Sequence, residues 1–211
     1  MTDFETSHHN TSRKKLPRRL FATALSLILL ILLLVLVTYI ILRPKKPRFI
    51  LQDATIYAFN LTTATNSLTT TLQATISSHN PNSRISILYE QIHVYASYRR
   101  QQITLPALLP ANTYQGHRDT IVWSPFLYGS SVPLATYHSG YLNKDQTAGT
   151  VLINIRVSGR IRWKVGAFVS WRYHLSVNCP AYINFGEKNN GIAVGPAVIK
   201  YQLIMSCGVH V

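Results

Sequence analysis

At 211 residues the chain has room for one domain with appendages. Its 21 lysines and arginines stand against 7 carboxylates, a formal charge of +14 that points towards anionic partners. Beyond residue 48 the carboxylates, Asp53, Glu90, Asp119, Asp145 and Glu187, form no close pair, and the two cysteines are too far apart for a zinc knuckle, which excludes the commonest acid–base and structural-zinc arrangements there.

In chain order, residues 1–19 form a basic tail containing Arg13, Lys14, Lys15, Arg18 and Arg19. From Leu20 to Leu42, 23 residues pass without a charged side chain. As a helix they would cover about 35 Å, enough to cross a hydrocarbon core of roughly 30 Å. A cleaved signal peptide is disfavoured, because the apolar run is too long and RPKKP follows it where a small-residue cleavage site would stand. Residues 20–42 are therefore expected to be a transmembrane signal anchor, followed by a basic linker, 43–48, carrying Arg43, Lys45, Lys46 and Arg48. Nine basic residues against Asp3 and Glu5 give residues 1–48 a charge of +7, and the remainder carries the other half. The flanking clusters suit anionic headgroups.

The two flanks are too similar for the positive-inside rule to orient the span. A sequon at Asn60-Leu61-Thr62 and two cysteines beyond the membrane favour a cytosolic amino terminus and an extracellular domain. A second sequon, Asn10-Thr11-Ser12, opposes this, so occupancy at Asn60 or Asn10 reports the topology.

After Pro47 the pattern changes to alternation. Leu68, Thr70, Leu72, Ala74 and Ile76 share one parity; Val151, Ile153, Ile155 and Val157 begin a second run that continues through Ile161, Trp163 and Val165. Trp171, Tyr173, Leu175, Val177 and Cys179 make a third, and Ile199, Tyr201, Leu203, Met205 and Cys207 a fourth. Period two with β-branched and aromatic enrichment predicts half-buried strands. The Thr-rich stretch 62–75 reads as strand, and a short helical turn is expected near 132–142. Asn80-Pro81-Asn82, Gly129-Ser130, Asn189-Asn190-Gly191 and Gly195-Pro196 read as turns. Strands without βαβ alternation predict an all-β, antiparallel sandwich over residues 49–211.

Parity places Cys179 and Cys207 inward, where they either form a disulfide or remain as two buried thiols. In RVSGRIRWKVG (156–166), Arg156, Arg160, Arg162 and Lys164 alternate with apolar residues. They form either a solvated strand face or a contact for polyanions. Tyr89, Tyr95 and Tyr98 follow one strand pattern, and Trp123, Phe126 and Tyr128 another; core and rim packing is the expected role, with sugar or protein stacking as the alternative. No zinc-protease helix, nucleophile elbow or phosphate loop occurs, and His117-Arg118-Asp119 reads as a polar loop. No catalytic residue, metal site or cofactor is expected.

Four stretches, HNPNSRISILYEQIHVYASYRRQQI (79–103), TYQGHRDTIVWSPFLYG (113–129), VSGRIRWKVG (157–166) and YHLSVNCPAYI (173–183), resemble the plant NHL membrane proteins, the non-race-specific-disease-resistance and harpin-induced-like family, with its late embryogenesis abundant group 2 domain. Asn80-Pro81-Asn82 matches the family's turn and Arg162-Trp163-Lys164 its strand motif. The resemblance implies a fibronectin- or immunoglobulin-like sandwich, a plasma-membrane or plasmodesmal address, and a part in defence or stress responses. It carries over no catalytic residue. The leading expectation is a non-enzymatic interaction or adhesion module, touching the bilayer and partner proteins in defence signalling. The alternatives are an ectodomain binding acidic wall polysaccharide or lipid headgroups, and a membrane-tethered hydrolase. The expected topology leaves no role for nucleic acid.

Overall fold

The computed structural model describes residues 15–41, 44–185, 199–201 and 205–211. The chain divides into two compact units, Met1–Arg43 and Pro44–Val211.

The described part of the first unit is helix α1 (Lys15–Ile41), 27 residues or about 40 Å. It starts within the basic tail, before the apolar run. Pro17 is tolerated because it stands in the first turn, where backbone N–H groups lack helical partners anyway. From Leu20 to Val37 the helix is long and apolar enough to cross a membrane, and its residues are exposed.

In the second unit the elements are β1 (Arg48–Thr62), β2 (Ser67–His79), β3 (Ser86–Tyr98), β4 (Gln101–Gln102), β5 (Ala107–Leu108), β6 (Thr113–Gln115), β7 (Thr120–Trp123), β8 (Phe126–Pro133), α2 (Thr136–Thr147), β9 (Thr150–Val165), β10 (Phe168–Val169), β11 (Tyr173–Asn184), β12 (Ile199–Tyr201), β13 (Met205–Ser206) and β14 (Gly208–His210). All pairings are antiparallel. One sheet runs β12-β1-β2-β7, with β13 on β1 and β8 on β2; the other runs β14-β11-β9-β3-β4, with β10 on β9 and both β5 and β6 on β3. Their inward faces share one core. Each Leu, Ile or Phe taken from water there contributes roughly 1.5–3 kcal/mol.

Alternation predicts the inward residues well in β2, β9 and the body of β11. Leu68, Thr70, Leu72, Ala74 and Ile76 are all buried, as are Val151, Ile153, Ile155, Val157, Ile161, Trp163, Leu175, Val177 and Cys179. It fails where the ladder is irregular. In β1, register shifts between Leu51 and Asp53 and between Ile56 and Ala58 change the buried parity, from Phe49 and Leu51 to Ala54 and Ile56, then Phe59. In β3 a shift between Glu90 and His93, with Gln91 at φ 46°, turns Tyr89 and Tyr98 inward although one is odd and the other even. Tyr95 sits on the other face of that strand, half-buried.

Several expectations are corrected. Residues 63–66 of the Thr-rich stretch form the β1–β2 turn, with Asn66 at φ 49°, because an antiparallel return needs one. Gly129-Ser130 lies inside β8, where the missing Cβ lets the Ile103 carbonyl approach the backbone. The helix starts at Thr136, after Pro133 ends β8. The described residues of the last run lie in β12 and β13 up to Cys207, where the chain changes sheets: β13 pairs with β1, then β14 with β11. Trp171 and Tyr173 are exposed, because β11 begins only at Tyr173 and the preceding hairpin projects past the core. Asn189-Asn190-Gly191, Gly195-Pro196 and Leu203 lie outside the described residues.

Candidate functional site

The linker enters the β unit at one end, and a polar clamp holds it there. Asn82 Oδ1 accepts from the Lys45 amide at 2.8 Å while its Nδ2 donates to the Lys45 carbonyl at 2.8 Å. Asn80 Oδ1 accepts from the Asn82 amide and side chain, and Asn80 Nδ2 donates to the carbonyls of Ile85 and Gly116, both at 2.8 Å. Both asparagines are buried, and each side chain replaces backbone partners that an irregular segment lacks. Pro47 is buried beside them. The turn read from sequence is thus the fastening of the linker.

A buried network behind the clamp joins the two sheets. Ser78 of β2 bonds the Tyr89 hydroxyl at 2.8 Å, which donates to Gln115 Oε1 at 2.8 Å; Gln115 Nε2 donates to the carbonyls of Ser78 and Asp119. Burial outweighs the Ser78 hydrogen bond and raises the Tyr89 pKa. Asp119 accepts from the amides of Thr120 and Gly116, so the His117–Asp119 loop is structural.

The same end carries the hairpin of β9 and β10. Ser86 of β3 pairs with Lys164, and Gly166, at φ 56°, turns the chain so that Val165 faces Phe168. The return is pinned: the Ser170 amide donates to the Trp163 carbonyl at 2.8 Å, Ser170 Oγ accepts from the Trp163 amide at 2.9 Å, and Arg162 Nε donates to the Ser170 carbonyl at 3.1 Å. Beyond this brace Phe168 is 84% exposed and Trp171 88%.

Arg156, Arg160, Arg162 and Lys164 occupy the outer face of β9, but they are not four equivalent charges. Glu90 binds Arg172 at 2.9 Å and Arg162 at 3.4 Å. The Arg172 hydrogen bond, followed by the other Arg172 and Arg162 contributions, holds the Glu90 carboxyl below its usual range. Arg156 Nε donates to Ser97 Oγ, and Lys164 Nζ lies 5.6 Å from the Tyr114 ring centre. Among the described residues no carboxylate pairs with Arg156, Arg160 or Lys164.

Cys179 and Cys207 are joined by a disulfide, with Cα atoms 4.4 Å apart. The bond sits where Asn178 and Gly208 begin the β11–β14 ladder and the Cys207 amide still donates to the Phe49 carbonyl of the opposite sheet. It fastens the point at which the chain passes between sheets. Asn60 is exposed on β1, opposite Thr69. Lys45, Lys46 and Arg48 are exposed, whereas Arg13, Lys14 and Arg43 lie outside the described residues. Lys15, Arg18 and Arg19 fall on the first turns of α1.

Away from the linker, Tyr98 donates to Asp145 Oδ2 at 2.6 Å, and burial followed by that hydrogen bond pushes its pKa up to about 12. Arg99 also pairs with Asp145, at 3.5 Å. His117 Nε2 meets Ser86 Oγ, His138 meets Gln101 and His79 meets Thr120; these rings are held by neutral groups. Among the described residues no three His, Cys, Asp or Glu side chains converge as a metal site.

Comparison with known proteins adds a family to this geometry. Residues 75–179 match the family model described as late embryogenesis abundant protein. NDR1/HIN1-like protein 1 of Arabidopsis thaliana is 51% identical over 205 residues, which is 97% of this chain and 98% of that protein. NDR1/HIN1-like protein 12 of the same plant is 50% identical, covering 92% of this chain and 91% of its own length. NDR1/HIN1-like protein 26 is 38% identical, covering 80% and 79%.

Proposed function

Because the chain belongs to the NDR1/HIN1-like proteins, with their late embryogenesis abundant domain, we propose that it serves plant stress or defence responses as a membrane-anchored, non-enzymatic interaction or adhesion module. The observation that carries this reading is the end-to-end match to a protein of that family, apolar amino-terminal segment included. In this reading α1 anchors the chain in the plasma membrane, with plasmodesmata as a more specific address. The tail faces the cytosol and the β unit lies outside it. The Cys179–Cys207 bond supports that orientation, since such bonds persist in oxidising compartments. Proximity labelling from each side of the plasma membrane tests it. Defence-associated proteins are expected to be labelled beside both the tail and the β unit. A chain that leaves the membrane on alkaline extraction overturns the anchor, and labelling of the β unit from the cytosol overturns the orientation.

A second reading makes the outer face of β9 a contact for acidic wall polysaccharide. It is favoured by Arg160 and Lys164, which no carboxylate among the described residues neutralises, while Glu90 already holds Arg162. Retention on a pectate matrix is expected to fall with salt, since exposed charges are screened beyond about 8 Å at physiological ionic strength. Unchanged retention in Arg160→Gln/Lys164→Gln removes this reading.

A further inference from the structure

We propose that the linker-bearing end of the β unit docks on the bilayer, with Phe168 and Trp171 seated among the lipid headgroups and a ring of cations on their phosphates. The inference rests on the membrane-anchored reading above.

Three independent features converge on this end. The first is apolar surface in an unexpected place. Phe168 and Trp171 project from a braced hairpin, 84% and 88% exposed, and Val169 between them is 42% exposed. The sandwich core lies behind Trp163, so burying these residues inside the unit would require breaking the Ser170 bonds to Trp163. Tryptophan at a membrane interface places an apolar ring against lipid while its N–H remains hydrated, which is why it is enriched there.

The second is charge. Lys45, Lys46, Arg48, Arg84, Arg118 and Lys164 are all exposed at this end. Their placement follows from the register: Arg48 pairs with His79, the Arg118 amide bonds the Asn82 carbonyl, and Arg84 lies in the loop leading to Ser86, which pairs with Lys164. Among the described residues Asp119 is a carboxylate at this end, and Glu90, further up the sheet, is already bound by two arginines. Each cation brought against anionic phosphates adds to the attraction. A protein partner would need a comparably acidic, aromatic-accepting surface, whereas a phospholipid layer offers both.

The third is the tether. Lys45 is fixed to this end by both its amide and its carbonyl. Four residue steps separate it from Ile41, the last residue of α1, and four extended steps cover at most about 14 Å. Chain connectivity therefore keeps this end at a high effective concentration relative to the layer that α1 crosses, whichever side of the membrane that is.

The test uses the full chain reconstituted into vesicles of mixed phosphatidylcholine and phosphatidylglycerol, part of the former brominated in its upper acyl chain. The chain has three tryptophans, and Trp123 and Trp163 are buried. The fluorescence lost in Trp171→Phe therefore isolates the exposed reporter. The Trp171 signal is expected to be quenched by brominated lipid and shielded from iodide. Phe168→Ser is expected to weaken the docking equilibrium about tenfold, returning Trp171 towards iodide-accessible emission. Trp171 emission that iodide reaches and bromine does not, in a chain that withstands alkaline extraction, overturns the docking while leaving the anchor intact; it would assign the tip to a protein partner. A chain stripped from the vesicles by alkali overturns both.

Discussion

Glu90 and Asn82 show how single side chains set the linker-bearing end. Glu90 is held in its charged form by Arg172 and Arg162, so its folded pKa lies below the unfolded one. The stability it contributes is present in full above the unfolded carboxylate range and is lost as pH falls through the lowered folded value. Replacing Glu90 by Gln is expected to cost about 1 kcal/mol or less at neutral pH, as for partly exposed ion pairs. In denaturant titrations, that difference should persist to about pH 5 and vanish under more acidic conditions. A gap that widens with acid would contradict the assignment. Asn82→Ala removes both bonds to Lys45 and one to Asn80 in a buried setting, and is expected to cost about 1–3 kcal/mol. Hydrogen exchange at the Lys45 amide should accelerate selectively. Nothing in the Asn-Pro-Asn string reveals this role: it reads as a turn, and the partner lies 37 residues earlier.

The strands owe their identity to alternation, and their irregularities to close approaches between elements. A Cβ on Gly129 would clash with the Ile103 carbonyl oxygen, and one on Gly159 would lie 2.5 Å from Ile92 Cδ1 and 2.7 Å from the Gln91 carbonyl. Either Gly→Ala change is expected to destabilise the unit by about 1–3 kcal/mol or more, because the obstruction includes backbone as well as side chain. Thermal unfolding of G129A against a surface control such as G140A, which meets open space, measures it. The carboxyl-terminal strands depend on the disulfide. Cys179→Ser/Cys207→Ser releases a 28-residue closure and is expected to cost about 3–4 kcal/mol. Exchange protection should be lost first in β14, the short strand that the bond holds to β11. Loss of protection spread evenly over both sheets would argue against this local role.

For the whole molecule, the distribution of charge and sequons gives a topological prediction. Asn60 is exposed on β1 and is expected to carry glycan in the plant secretory pathway, so Asn60→Gln should remove one mobility step and Asn10→Gln none. The reverse pattern would invert the chain in its membrane. The sequence by itself determined the apolar span, the β character of the remainder and the inward residues of β2, β9 and most of β11, because hydrophobic burial imposes a period that the local order of residues records. It left Cys179 and Cys207 with two fates, and it drew Trp171 into a core strand. Only the tertiary structure decided those points, along with the bulges that turn Tyr89 and Tyr98 to the same side, the two arginines on Glu90 and the clamp on Lys45. The physical reason is that each depends on register between segments distant in the chain. One residue of slip in a ladder exchanges inside for outside, and no local pattern reports which neighbour will absorb it.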